Sequence, residues 1–242
     1  IKIIIIAMFN LKKKIQRFKN SRKLLKLALF LHKIFGEKNV GEIGFNFDDK
    51  PKKNQIIQET IIRKKFQNYL EIGCYKNELF DFIECENKVG VDPYSGGTHR
   101  QTSDDYFKTN KKNFDCIFID GLHTYHQVKK DIYNSLNCLN ENGVIFIHDC
   151  LPNNVYAQAV PRCQFNWNGT VWKAIVEFRT KEEFDTYTCY ADQGIGIILK
   201  RKNRNKLDIK IDNFSKLKFS SFFKNYKEFM NIIEHQELKT LF

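Results

Sequence analysis

Asp120, His123, His148 and Asp149 are the residues of this sequence best suited to chemistry. Carboxylates bind divalent cations, and imidazoles bind transition metals or move protons near neutral pH. All four lie within residues 114–149, FDCIFIDGLHTYHQVKKDIYNSLNCLNENGVIFIHD. A buried strand over 116–119 ends in Asp120, a turn carries His123, a helix follows, and a second buried strand over 144–147 ends in His148-Asp149. Strands joined by a helix run parallel, so these polar groups gather at the carboxyl ends of two strands. That edge of an open α/β sheet is where ligands bind. The run reads as the centre of an enzyme or a ligand binder.

The elements around these residues are legible. Thr124 and Gln127 form a T-x-x-Q capping box that starts a helix at Tyr125. Its apolar face is Tyr125, Val128, Ile132, Leu136 and Leu139, at steps of three and four. His123 then lies just outside the helix N-terminus, whose positive end disfavours a second proton and suits a neutral general base. Asp120 and Asp149 are carboxylate ligand candidates for a metal; the alternative is that they cap the elements that follow. Neighbouring strand residues point to opposite faces, so His148 joins Asp149 at one metal only if the strand has already ended. Otherwise His148 contacts cofactor or substrate. Imidazole in the set favours Mn²⁺, Fe²⁺ or Zn²⁺, and carboxylates alone suit Mg²⁺.

From residue 54 helix and strand patterns alternate. Helices are predicted over 56–66, 77–84 and 171–179, and strands over 69–72, 88–91, 186–190 and 195–200, with a short unit near 102–107. This alternation predicts an α/β fold, a mostly parallel sheet covered by helices on both faces. Three segments follow: an N-terminal extension and linker over 1–53, a catalytic domain over 54–200 with a lid over 151–172, and a helical C-terminal extension over 201–242. In the lid, Trp167 and Trp172 are candidates to stack on a sugar and Arg162 to meet an acidic group of the acceptor; both tryptophans packing the lid is the plain alternative. Asn168-Gly-Thr170 matches a glycosylation sequon that a cytosolic chain would not use.

YLEIG, residues 69–73, leads from a strand through a glycine turn into a helix, and Asp92 closes the next strand nineteen residues beyond Gly73. An acid there can accept hydrogen bonds from ribose hydroxyls. The turn continues Cys74, Tyr75, Lys76, Asn77, too bulky to cradle a pyrophosphate, which argues against a nicotinamide dinucleotide. Glu71 beside the turn would repel phosphate and attract a sulfonium. E-I-G, V-D, F-D-x-I-F-I-D-G-x-H and N-G-V-I-x-x-H-D, in that order, resemble class I S-adenosylmethionine-dependent methyltransferases over residues 54–200. The resemblance implies a Rossmann-like, seven-stranded sheet. Within that superfamily D-G-x-H-x-Y and the later H-D resemble the group of cephalosporin-hydroxylase-like proteins and metal-dependent macrolide-sugar O-methyltransferases. It implies that Glu71, Gly73 and Cys74 line the methionine part of the cofactor, Asp92 the ribose, and Ser103 and Asp104 the adenine, with Asp120 touching both cofactor and metal. It further implies a divalent metal, Mg²⁺ or Mn²⁺, and His123 as base three residues after the first metal aspartate. Tyr75 and Asn77 replace the later glycines of that family's loop.

The net charge of +12 is concentrated at one end. Residues 1–36 hold ten Lys/Arg and no acid, which leaves +2 to the other 206 residues. The catalytic region therefore has no electrostatic track for nucleic acid. Residues 11–35 read as a basic amphipathic helix ending near Gly36. It either packs on the domain or attaches peripherally to an anionic membrane surface or an acidic partner. The run 3–9 lacks a basic region before it and a cleavage site after it, so no signal peptide is expected; Met8 is a candidate initiator. Seven dispersed cysteines, with no C-x-x-C pair, predict unpaired thiols in a reducing, cytoplasmic setting. With 42% hydrophobic residues the core is ample, and a homo-oligomer is compatible with it.

The expectation is thus a methyl transfer from S-adenosylmethionine to an oxygen of a sugar or sugar-bearing metabolite, as in surface-polysaccharide biosynthesis at the inner membrane face. A metal-independent enzyme using His123 alone, or a catalytically silent binding module, are the alternatives.

Overall fold

The computed structural model describes residues 22–242. Residues 11–21 of the expected basic helix lie outside the described residues. A seven-stranded sheet forms the centre: β1 (Asn68–Ile72), β2 (Asn87–Val91), β3 (Phe114–Ile119), β4 (Leu139–Ile147), β5 (Asp185–Cys189), β6 (Ile195–Leu199) and β7 (Ile232–Ile233). Their order is β2-β1-β3-β4-β6-β5-β7, and among the described residues only β6 runs antiparallel to its neighbours. The helices are α1 (Arg22–Phe35), α2 (Lys53–Lys64), α3 (Glu78–Phe82), α4 (Ser103–Thr109), α5 (Tyr125–Asn137), α6 (Val171–Arg179), α7 (Phe219–Met230) and α8 (Leu238–Leu241).

The central strands are buried on both faces, which is why they read as unbroken apolar runs. In β3, Cys116 and Phe118 pack on one side with Ile56, Ile57 and Phe80, and Ile117 and Ile119 on the other with Val128, Ile132 and Trp172. Register matters most for the site. Ile72 pairs with both Val91 and Ile119, and Ile119 pairs with Ile147, so β2, β1, β3 and β4 end level. The next residues, Asp92, Gly73, Asp120 and His148, therefore form a row along one edge, at strand spacings of about 4.8 Å.

Two segments differ from expectation. The polar 37–53 stretch reads from its sequence as a linker or a lid; Ile43, Phe45 and Phe47 lie against the core, with Phe47 on Tyr190 at 5.1 Å between ring centroids. Every second residue there is apolar, an extended-chain pattern among polar neighbours. The Asn153 side chain, in the lid, accepts the Gly44 and Phe45 N–H groups and fixes this segment to the lid. The C-terminal extension, expected to be helical, also supplies β7. Asn231 turns the chain with φ +45° after α7, and Ile232–Ile233 extends the sheet beside β5. All seven cysteines are unpaired.

Candidate active site

β4 ends at Ile147, one residue before His148, so the condition for His148 and Asp149 to converge is met. Asp149 takes φ +62°, an uncommon conformation for a residue with a side chain, and this bends its carboxylate back toward β3. His123 Nε2 is 3.2 Å from Asp120 Oδ1, and its Nδ1 is 3.2 Å from Asp149 Oδ2. Ligand atoms of Asp120, His123 and Asp149 all lie within 4.8 Å of one another. His148 falls outside that trio, yet its Nδ1 is 3.3 Å from Asp149 Oδ2 and 3.5 Å from Asp120 Oδ1.

Two residues missing from the sequence reading complete the cluster. Lys53, first residue of α2, places Nζ 2.6 Å from Asp120 Oδ2. Its backbone N–H donates to Asp192 Oδ2 at 2.8 Å, and that carboxylate also lies 3.8 Å from His148 Nε2. Lys53 was hidden at a linker boundary and Asp192 in the β5–β6 turn. Neither position has a local signal, because only the folded sheet brings them to the edge.

Burial alone would push Asp120 up, but His148, the His123 hydrogen bond and Lys53 outweigh it and hold the carboxyl well below its ordinary range. Burial pulls both imidazoles down, but Asp120 and Asp149 outweigh it, leaving His123 raised and His148 raised well above the ordinary value. This corrects the expectation that the helix dipole keeps His123 neutral: two carboxylates at hydrogen-bond range outweigh a partial charge. Nor does the expected capping box form. Thr124 makes no side-chain cap, and the Gln127 amide donates to Asp104 and Asp131 instead. The Tyr125 N–H is capped by Thr170 Oγ1, at 2.8 Å, from the lid side.

The lid clasps His123. Trp167 stacks on the imidazole, with centroids 5.0 Å apart and planes 16° apart, and its carbonyl oxygen is 3.2 Å from Nδ1. The Thr170 N–H donates to the His123 carbonyl. Gly169, at φ +61°, lies so close that an added Cβ would overlap that carbonyl oxygen. Asn168 is 3% exposed and its amide donates to Asp149 Oδ1, so the apparent sequon is an internal strap and offers no glycan acceptor.

The proposed acceptor residues fare differently. Trp172 is fully buried, packed on Phe222 with Nε1 donating to Gln158; it is a core residue, which corrects its reading as a stacking platform. Trp167 spends its face on His123. Arg162 donates to the carbonyls of Gln164 and Phe165 and lies over the Trp167 ring, 5.8 Å from its centroid, so it braces the lid.

On the cofactor side, Gly73 at φ +94° packs against the backbone of Asp120; an added Cβ would come 2.7 Å from Gly121 Cα. Its glycine is thus required where β1 and β3 meet. Glu71 is buried and accepts the Tyr69 hydroxyl at 2.7 Å; burial lifts it from 4.5 to about 7. The Cys74 thiol is buried between Gly90 and Gly97, and burial pushes its pKa far up, so it is inert. Asp92 accepts N–H bonds from Tyr75, Tyr94 and Ser95. Of about four lone-pair sites on a carboxylate, these bonds leave room for one ribose hydroxyl without displacing an amide. Ser103 and Asp104 start α4 and meet the Gln127 amide, and Asp104 also pairs with Lys130 at 2.7 Å.

The sheet with level strand ends, the glycine turn after β1 and the acid after β2 give the Rossmann-like fold of class I methyltransferases. Residues 46–150 match the family described as a methyltransferase domain, a stretch that runs from before α2 to the end of the β4 edge. Solved structures of similar fold include the SAH-bound Podospora anserina methyltransferase PaMTH1, at 15% identity, 76% of this chain, 97% of that one and a TM-score of 0.48. Another is the O-methyltransferase TomG of Streptomyces achromogenes, involved in tomaymycin synthesis, with SAM, at 11% identity, 75% and 91% coverage and a TM-score of 0.48. A third is the Bacillus cereus O-methyltransferase with SAH, at 10%, 74% and 92% coverage and 0.46. No curated protein matches the chain.

Proposed function

We propose that the chain is an S-adenosylmethionine-dependent methyltransferase acting on a hydroxyl oxygen of a sugar or sugar-bearing metabolite, with a divalent cation assisting deprotonation. The observation that carries this reading is the convergence of Asp120, His123 and Asp149 beside the Gly73 turn. A sugar hydroxyl is a very weak acid, and a carboxylate-lined cation site is the device that such an acceptor requires. The D-G-L-H-T-Y run and the later H-D, similar to those of the macrolide-sugar enzymes, support the sugar class.

The residues fit a cation. Two carboxylate oxygens and an imidazole converge, and the buried His148 Nε2 has no hydrogen-bond partner. Asp120 and Asp149 would hold the ion, with His148 as the nearby nitrogen donor that favours Mn²⁺ over Mg²⁺; when bound, the ion would lower the acceptor hydroxyl's pKa. His123 has its Nδ1 beside the Trp167 carbonyl, an acceptor only, so Nδ1 keeps the hydrogen, and Nε2, 3.2 Å from Asp120 Oδ1, is the nitrogen that must give up its proton to act as base. Nε2 takes the acceptor proton, held in place by the Trp167 stack and the Thr170 strap. Lys53 balances Asp120 from the opposite oxygen.

The test is transfer of labelled methyl from S-adenosylmethionine to a panel of nucleotide sugars and glycosides, with Mn²⁺ or with EDTA. Turnover on a sugar that EDTA stops and Mn²⁺ restores is the expected result. Turnover indifferent to EDTA would select the metal-independent reading. Cofactor binding by calorimetry without transfer to any sugar would remove the acceptor class.

A further inference from the structure

We propose that α1 is an in-plane docking helix for an anionic bilayer surface. Leu27, Phe30, Leu31, Ile34 and Phe35 are 53%, 59%, 44%, 54% and 81% exposed, an unusual concentration on one short helix. At 100° per residue, Leu27, Phe30, Leu31 and Ile34 fall within about 100° of arc. Arg22, Lys26 and Lys33 run along one flank of that stripe and Lys23 closes its N-terminal end, all of them exposed. The opposite side of the helix holds the body: Leu25 is buried, and His32 meets Tyr156 of the lid edge-on at 5.9 Å. Beyond the helix, Glu37 accepts from the Gln158 amide and from the Phe219 N–H at the start of α7. The helix is therefore anchored, and the stripe it turns outward is not an unfinished core.

Charge selects the occupant. An apolar stripe flanked by lysines fits headgroups that are anionic above acyl chains. A second copy of the chain fits badly, because pairing this face with itself would bring four basic residues against the same four, with no acid in residues 1–36 to offset them. No helix among the described residues is long and apolar enough to cross a membrane.

The experiment is co-sedimentation of the full chain with phosphatidylcholine vesicles, with and without phosphatidylglycerol. The expected result is at least tenfold greater partition onto the phosphatidylglycerol vesicles, falling in high salt. Leu27→Gln/Phe30→Gln/Ile34→Gln should abolish it, with calorimetric S-adenosylmethionine affinity unchanged, since these side chains are exposed on the outward face of α1. Equal partition onto both vesicles, or none, overturns the proposal. So does a dimer in sedimentation equilibrium that the triple variant dissolves, which would show that a second copy covers the face.

Discussion

Gly169 packs directly on the backbone of His123, with no room for a Cβ between its α-carbon and the His123 carbonyl oxygen. The lid and the residue proposed to take the proton are therefore held together, closed by the Thr170 N–H on the same carbonyl. Gly169→Ala adds a Cβ at φ +61°, where side chains are strained by roughly 1 kcal/mol or more. The lid must lift, and His123 loses its Trp167 stack. We expect kcat to fall at least tenfold with cofactor affinity unchanged, by steady-state kinetics and calorimetry. An unchanged kcat would show that the strap is dispensable.

His123→Ala removes the nitrogen proposed to take the acceptor proton. Turnover should fall by about 10²–10⁴, with S-adenosylmethionine affinity nearly unchanged and Mn²⁺ affinity reduced no more than about threefold. A large loss of Mn²⁺ affinity would instead make His123 a ligand. Normal turnover would remove it from the chemistry.

Cation binding should strengthen as pH rises. The imidazoles of His123 and His148 have raised pKa values because they face Asp120 and Asp149, so near neutrality a cation must displace their protons. The sign is fixed by that competition: at lower pH both groups are charged and repel the ion. Mn²⁺ titrations carried upward from the ordinary imidazole value of about 6.5, above which both raised groups lose their protons, should show tighter binding at the alkaline end. Asp149→Asn should weaken binding throughout. Affinity that is flat with pH would place the ion elsewhere.

Glu71 predicts a slope in stability. Its carboxyl is lifted from 4.5 to about 7 by burial, so the native state holds a proton that the unfolded chain releases between those values. The unfolded state binds fewer protons there, and stability falls as pH rises through the window. The full effect is on the order of 3 kcal/mol. Glu71→Gln keeps a partner for the Tyr69 hydroxyl and should remove most of the slope in urea melts at pH 4.5 to 7.5. A variant with the parental slope would sink this assignment.

Much of the fold is written locally. The alternation of 3.6-residue and two-residue periods marks the catalytic strands and helices, and α6 spans the predicted 171–179 range. The polar residues closing β2, β3 and β4, Asp92, Asp120 and His148, are legible for the same reason, since each follows directly on an apolar run. β7 and the 37–53 segment were less visible. Two residues make a strand only when a sheet edge awaits them, and Phe45 and Phe47 look like linker residues until Tyr190 is beside them.

Sequence alone determined which chemistry is available: Asp120, His123, His148 and Asp149 at the ends of two parallel strands, behind a glycine turn suited to a sulfonium cofactor. Tertiary structure decided what each residue does there. The level register brings Asp120 to Asp149, and the end of β4 before His148 lets both neighbours face the same side. The lid turns Trp167 onto His123 and sends Trp172 into the core. Lys53 and Asp192 enter from 67 residues before Asp120 and from the far hairpin. These are long-range contacts set by packing, and no local pattern encodes which distant side chain will share a buried charge.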